Sequence, residues 1–315
     1  MLRAALWLLT ILVAAALSAL LFFWLRGERG RLRLSTREFL RQSGFGLNAL
    51  HGYVYLRWIR VYIGTLVRLP DPRTSRTSAR GAGWLAEHYH GKVLTHEHAR
   101  EIITLNREIP LQDLEQIVPF PVARNIVLHG PPDVVAFECV CRHVRPTHCS
   151  PTQVCMAVGK PFTDFTLEHH PNDARRLTQA EALELLEAEH MRGHVHSAWF
   201  KDAMLNRFYA ICNCCKCCCG GIEKMRQGVR MMAGSGYVAE IDAALCANCD
   251  TCVVACPFGA LSMNDGGITR DWELCMGCGV CEVSCAAGAI SLVRDERKGV
   301  PLDVRALPAQ LGSPG

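Results

Sequence analysis

The chain has 315 residues, half of them hydrophobic, with a net charge of +4 and 18 cysteines. That is room for two modest domains, or for one domain with appendages. Base-stacking aromatics are not interleaved with the arginines, which excludes nucleic acid as a partner. The cysteines fall in metal-ligand spacings rather than in a small secreted disulfide framework, so the soluble part belongs in a reducing compartment.

In chain order, Ala4 to Leu25 is a run of 22 residues without a charge. At ~1.5 Å per residue a helix of this length crosses a hydrocarbon core of ~30 Å. A cleaved signal peptide competes, but Leu20 to Leu25 carries the apolar run past the small-residue stretch where cleavage would fall. Residues 1–30 are therefore expected to be a transmembrane anchor. One arginine precedes the run, while Arg26, Arg29, Arg31, Arg33, Arg37 and Arg41 follow it. Lys/Arg excess marks the cytoplasmic side, so the expectation is a single-pass protein of the cell (inner) membrane, with the lipid bilayer as a partner and its soluble part facing the cytoplasm.

Residues 31–83 read as a basic, membrane-proximal segment and linker. In Tyr53 to Leu69, Arg57, Arg60, Gly64 and Arg68 share one helical face. With Tyr53, Tyr55, Trp58 and Tyr62 this predicts an interfacial helix, against the alternative of a helix packed on the soluble domain. Asp71 to Gly83 is polar and rich in turn formers, and predicts a linker.

The middle region, 84–235, predicts helices over Thr95 to Asn106 and Leu111 to Ile117, and a strand at Val134 to Phe137. A further helix starts at Thr178, where Thr178 and Glu181 fit a capping box, and Gly193 is placed to end it. Its ten cysteines form two sets: Cys139, Cys141, Cys149 and Cys155, then Cys212, Cys214, Cys215, Cys217, Cys218 and Cys219. Six cysteines within eight residues cannot all face one tetrahedral ion. Three readings stay open: a further Fe–S cluster formed by both sets, a zinc site using four of the ten thiolates, or a thiol–disulfide or substrate site. His143, His148, His194 and His196 lie near the cysteines in sequence, but a lone histidine is an ordinary surface or core residue. Arg142, Arg145 and Lys216 suit charge compensation for thiolates.

Cys246, Cys249, Cys252 and Cys256 are spaced C-x2-C-x2-C-x3-C, followed by Pro257; Cys275, Cys278, Cys281 and Cys285 repeat that spacing. The repeat carries Asp242 onto Asp271, Leu245 onto Leu274, Gly259 onto Gly288 and Ala260 onto Ala289, which marks a duplicated unit. Three thiolates at x2 intervals can wrap one iron–sulfur cube from a single loop, and the fourth must come from elsewhere. Each unit is too short to fold alone, so metal binding must stand in for much of its core.

Residues from about Tyr237 to Val293 resemble the bacterial-type two-cluster ferredoxin. Ala286 stands where proline is usual in the second half. The resemblance implies a (βαβ)2 domain over 236–295, edge strands at Tyr237 to Ile241 and Ile290 to Val293, and a hairpin through Asp265 to Ile268. It implies two [4Fe–4S] clusters with crossed ligands: Cys246, Cys249, Cys252 and Cys285 for one, and Cys275, Cys278, Cys281 and Cys256 for the other. More loosely, the chain is similar to 4Fe–4S dicluster proteins with an upstream CxC and CNCC-type region, a likeness that implies no activity. The fold class expected is α+β: an N-terminal transmembrane helix, a mixed Cys-rich middle and a ferredoxin-like end, with 296–315 a disordered tail.

The leading functional expectation is an electron carrier serving redox partner proteins, with no catalytic side chain. A redox enzyme subunit with a thiol or metal site at Cys212 to Cys219, and a zinc-stabilised sensor or scaffold, are the alternatives. Gly44 and Gly46, and Gly234 and Gly236, lack the rest of a dinucleotide fingerprint.

Overall fold

The computed structural model describes residues 21–44, 46–106, 132–205 and 207–306, the backbone of Ile109–Gln112 and Asn125–Leu128, and single positions at 7, 10, 11, 14 and 18. The architecture is mixed α/β. A nine-stranded sheet is built from β1 (Tyr89–Val93), β2 (Ile109–Gln112), β3 (Asn125–Leu128), β4 (Val134–Phe137), β5 (Cys155–Val158), β6 (Ala174–Leu177), β7 (Val195–Lys201), β8 (Arg207–Cys214) and β9 (Met232–Ala233). Its main path runs β6-β4-β5-β8-β7-β1-β9, with β3 beside β8 and β2 beside β3. Only β1–β9 and β3–β8 pair in parallel. All seven β7 residues are buried, as expected of a strand covered on both faces.

The expected transmembrane helix is overturned: among the described residues no helix is long and apolar enough to cross a membrane. Most of 4–25 lies outside the described residues. Its far end enters a π-helical turn, Phe23–Gly27, where the Phe23 ring packs on Tyr53 and Trp58 with centroids 5.8 and 5.4 Å away. That side chain is taken up by protein. Beside it the buried Glu28 carboxylate accepts from Tyr53 Oη at 2.7 Å and Thr36 Oγ1 at 2.9 Å.

Four further expectations change. The 53–69 segment forms two helices, Leu47–Arg57 and Ile59–Val67, broken at Trp58. Tyr55 is 1% exposed and Tyr53, Leu56, Ile63 and Val67 are buried, so these rings pack in the core rather than stand at headgroup level. The 71–83 linker ends in a helix, Arg76–His88, because Ser75 caps it by accepting from Ser78 N and Ala82 and Leu85 bury its inner face. Leu111 and Gln112 belong to strand β2 rather than to a helix, and 113–117 lies outside the described residues. The tail at 296–306 is packed: Leu302 and Val304 join the core around Ile102 and Ile103, while 307–315 lies outside the described residues.

Other elements coincide with the sequence pattern. Thr95 caps the helix His96–Ile103, and Thr178 and Glu181 form the capping box of Gln179–Met191. That second helix carries Glu189, whose carboxylate meets the Arg142 guanidinium at 2.9 Å with both side chains fully buried. Arg142 also donates to the Asn213 carbonyl and to the Pro151 carbonyl, so one cation ties three segments together. Removing one member of a buried pair strands the other charge. Glu189→Leu should therefore cost about 3–5 kcal/mol in anoxic denaturant unfolding, and Arg142→Met added to it should restore part of the loss. A single-variant cost below about 1 kcal/mol would contradict this reading.

Candidate metal centres

The C-terminal third places its sulfurs by repetition. Each ligand loop enters a short helix, Thr251–Ala255 or Val280–Val283, through left-handed residues: Asn248 and Asp250 in the first, Gly277 and Gly279 at the matching places in the second. A Cβ at Gly277 would stand 2.2 Å from the Tyr237 carbonyl oxygen, so only glycine fits there. The halves then exchange backbone bonds. Asp242 N donates to the Ala289 carbonyl at 2.8 Å, and Asp271 N to the Ala260 carbonyl at 2.7 Å. Strands β10 (Tyr237–Ile241) and β13 (Ile290–Arg294) pair antiparallel, and β11 (Leu261–Asn264) and β12 (Gly267–Arg270) form a hairpin closed at Asp265 and Gly266.

This interlocking carries the fourth cysteine of each run into the other half. One cavity is lined by Cys275, Cys278, Cys281 and Cys256, and a second by Cys246, Cys249, Cys252 and Cys285. Burial raises the Cys281 thiol to about 12, and Cys275 and Cys256 beside it push the same way. Burial likewise raises Cys252, with Cys246 and Cys285 adding to it. Each crossing sulfur accepts a backbone bond at the equivalent position: Ala260 N to Cys256 Sγ at 3.2 Å, and Ala289 N to Cys285 Sγ at 3.3 Å. Such bonds stabilise negative charge on a ligand sulfur and tune reduction potential. The sites differ in depth. Cys256, Cys275, Cys278 and Cys281 are all buried, whereas Cys249 is exposed and Cys246 and Cys285 are half-buried.

The ten middle cysteines re-sort across the two sets. In the β5–β8 pairing Met156 faces Ile211, which puts Cys155 next to Cys212. Cys214 follows two residues on along the same face of β8. Cys139 and Cys141 arrive from the turn after β4, and Cys219 from the start of the helix Gly220–Arg226. Neighbouring thiols interact around a closed ring: Cys139 with Cys141 and Cys155, Cys212 with Cys155 and Cys214, and Cys219 with Cys214 and Cys141. The ring lines a largely apolar cavity that opens to solvent.

Bonds from Cys155 and Cys214 draw the Cys212 thiol down to about 7. Cys139 is pushed up to about 12, first by Cys141, and Cys214 is raised, first by Cys212. The opposite wall is Ile59, Ile63 and Val67, with Tyr55, Tyr89 and Tyr209. The three tyrosine hydroxyls bond one another at 2.7, 3.1 and 3.2 Å. A Cβ at Gly220 would come within 2.5 Å of Val67, so glycine lets the Cys219 turn close on that wall.

The other four, Cys149, Cys215, Cys217 and Cys218, have sulfurs all within 4.8 Å of one another. Neither ferredoxin quartet nor any three of the ring thiols forms so tight a group among the described residues. A cube keeps its ligands apart because four irons stand between them; one ion does not. The quartets and the ring thus surround spaces, which fits polynuclear iron–sulfur centres.

The neighbouring histidines are otherwise engaged. His143 bonds Glu138 at 2.7 Å, His194 bonds Glu189 at 2.7 Å and His196 bonds Asn213 at 2.6 Å, while the His148 ring lies 5.9 Å from that of His143. Lys216 donates to the Val254 carbonyl, so the turn bearing Cys217 and Cys218 rests on the ferredoxin helix that carries Cys252. The three tyrosines had no signal in the sequence beyond their aromatic character, because their convergence depends on strand and helix packing.

Residues 245–297 match the 4Fe-4S dicluster domain family. No curated protein matches the chain. The match spans both crossed quartets and stops short of the ring. With the two sulfur-lined cavities, it makes this an iron–sulfur protein of the electron-transfer kind. Crossing has a distinctive signature in paired variants. Cys249→Ser with Cys285→Ser should strike one cluster and leave the other, a loss of at most about four irons. Cys249→Ser with Cys256→Ser should strike both, a loss of up to about eight. Equal losses from the two pairs would contradict crossing.

Proposed function

We propose that the protein relays single electrons through two [4Fe–4S] clusters and into a third iron–sulfur centre in the six-thiol ring. One cluster would be held by Cys246, Cys249, Cys252 and Cys285, and the other by Cys275, Cys278, Cys281 and Cys256. The observation that carries this reading is the pair of cavities, each lined by one crossed quartet. The clusters supply reversible one-electron chemistry; the chain supplies position, charge and exclusion of water.

Within the relay the residues have separate tasks. The half-exposed quartet around Cys249, flanked by exposed Leu245 and Val254, is the edge where a redox partner protein would dock. The buried quartet would hold charge away from solvent. Lys216 and the core shared by Cys214, Cys219, Cys252 and Cys256 join the module to the ring. Arg142, kept charged by Glu189 against the effect of burial, offsets thiolate charge at the ring.

A second reading, a redox enzyme fed by the module, is favoured by one specific feature. The tyrosine triad stands in the ring cavity, where a phenol can donate a proton beside a reducible centre.

Anoxically purified protein should contain about eight irons in the module plus further iron in the ring. Cys139→Ala with Cys212→Ala should return the count to about eight and leave the module's reversible redox titration intact. A wild-type count of about eight, unchanged in that variant, would remove the third centre.

A further inference from the structure

Cys149, Cys215, Cys217 and Cys218 converge on a point, unlike every other cysteine group described above. All four sulfurs lie within 4.8 Å of one another, with Cys149 and Cys217 at 2.8 Å and Cys217 and Cys218 at 3.5 Å. Four thiolates around one zinc ion at ~2.3 Å sit about 3.8 Å apart, so the quartet needs adjustments of only about 1 Å to close on a single ion. It is too contracted for a cube, whose four irons would have to fit between the same sulfurs.

We infer that these four cysteines hold one zinc-class divalent ion in a tetrahedral all-thiolate site, distinct from the iron–sulfur centres. Binding converts four thiols to thiolates, releases their protons to solvent and leaves a centre of net charge −2. A soft, four-sulfur set selects zinc over hard cations, and a full shell of protein ligands marks a structural site. Cys215 and Cys218 are buried and Cys217 is exposed, so the ion sits at the surface with one ligand at the solvent edge.

The placement gives the site a task. Cys149 lies on the loop between the helical turn Val140–His143 and β5, and the other three lie on the turn after β8. Both segments deliver ring sulfurs: Cys139, Cys141 and Cys155 flank the loop, and Cys214 and Cys219 flank the turn. Cys215 also lines the ring cavity. The ion thus clasps together the two segments that build the ring, from outside it. Arg145 reinforces the clasp by donating to the Cys218 carbonyl at 3.4 Å and pairing with Glu223.

The test uses the full chain, purified without oxygen from zinc-supplemented medium, with metals counted by mass spectrometry. The expected result is one zinc per chain, reduced at least tenfold in Cys149→Ser and in Cys217→Ser, with iron unchanged. Cys217→His, which keeps a zinc ligand, should retain the ion and serves as the folding control. Cobalt(II) should bind the zinc-depleted protein with the visible ligand-field bands of tetrahedral thiolate coordination, and those bands should be lost in the serine variants. Absence of zinc together with a fall of about four irons in the serine variants would overturn the inference in favour of a cube. A Cys149–Cys217 disulfide mapped by peptide mass spectrometry in the anoxic protein would overturn it as well. Because Cys149 and Cys217 belong to neither ferredoxin quartet, neither result bears on the ferredoxin clusters.

Discussion

Cys256 and Cys285 each lie among the cysteines of the half-module to which they do not belong, and the elements of the C-terminal third that bring them there are small. Its sheets are two-stranded and its helices run four and five residues. Elements of that size are marginal in water on their own. Reciprocal backbone bonds between Asp242 and Ala289, and between Asp271 and Ala260, fix the exchange, but two hydrogen bonds contribute only a few kcal/mol. Val238, Phe258, Leu261, Met276, Val280 and Ile290 give the module a small apolar core, and the sulfur-lined sites lie within it. Metal–thiolate binding is folding free energy here, and the buried quartet makes the electron site and the module's structural centre the same object.

The larger body solves a different problem with the same atom. Six thiols from two stretches of chain, 139–155 and 212–219, ring a cavity whose far wall is aliphatic and aromatic. Neighbouring thiols compete for protons there: Cys141 raises Cys139 and Cys212 raises Cys214, with burial adding to both, while bonds from Cys155 and Cys214 draw Cys212 alone in the ring down. A buried guanidinium, itself secured by Glu189, stands at the rim of the same cavity. Strand β8 and the turn after it supply most of the arrangement: Cys212 and Cys214 face the ring, Cys219 closes it, and Cys215, at the cavity's edge, gathers with Cys217 and Cys218. One run of eight residues thus contributes to two separate thiol groups, a division that six cysteines crowded together permit.

What could be read from the sequence follows the range of the interactions that decide it. The x2-x2-x3 spacing is local, and so are the turn at Asp265 and Gly266 and the capping box of Thr178 and Glu181; all were legible without coordinates. The sorting of the middle cysteines was not. It depends on the β5–β8 register that brings Cys155 to Cys212, and on a loop folding back to bring Cys149 to Cys217. Apolar runs misled for a related reason. Hydrophobicity reports that a side chain leaves water, without saying whether lipid or protein receives it. Tyr55 and Ile63 went to the wall of the sulfur ring, and Phe23 to the core beside Tyr53. Leu302 and Val304 carried too weak a pattern to reveal that the tail packs.

The most direct test of the central claim is magnetic. Full reduction under anoxic conditions should place one unpaired spin on each of two neighbouring cubes. The low-temperature EPR spectrum should then pass from a simple signal at partial reduction to one broadened and split by spin–spin interaction at full reduction, with Cys249→Ser abolishing the splitting. A single non-interacting signal throughout the titration, unchanged by that variant, would contradict a pair of clusters joined by crossed cysteines.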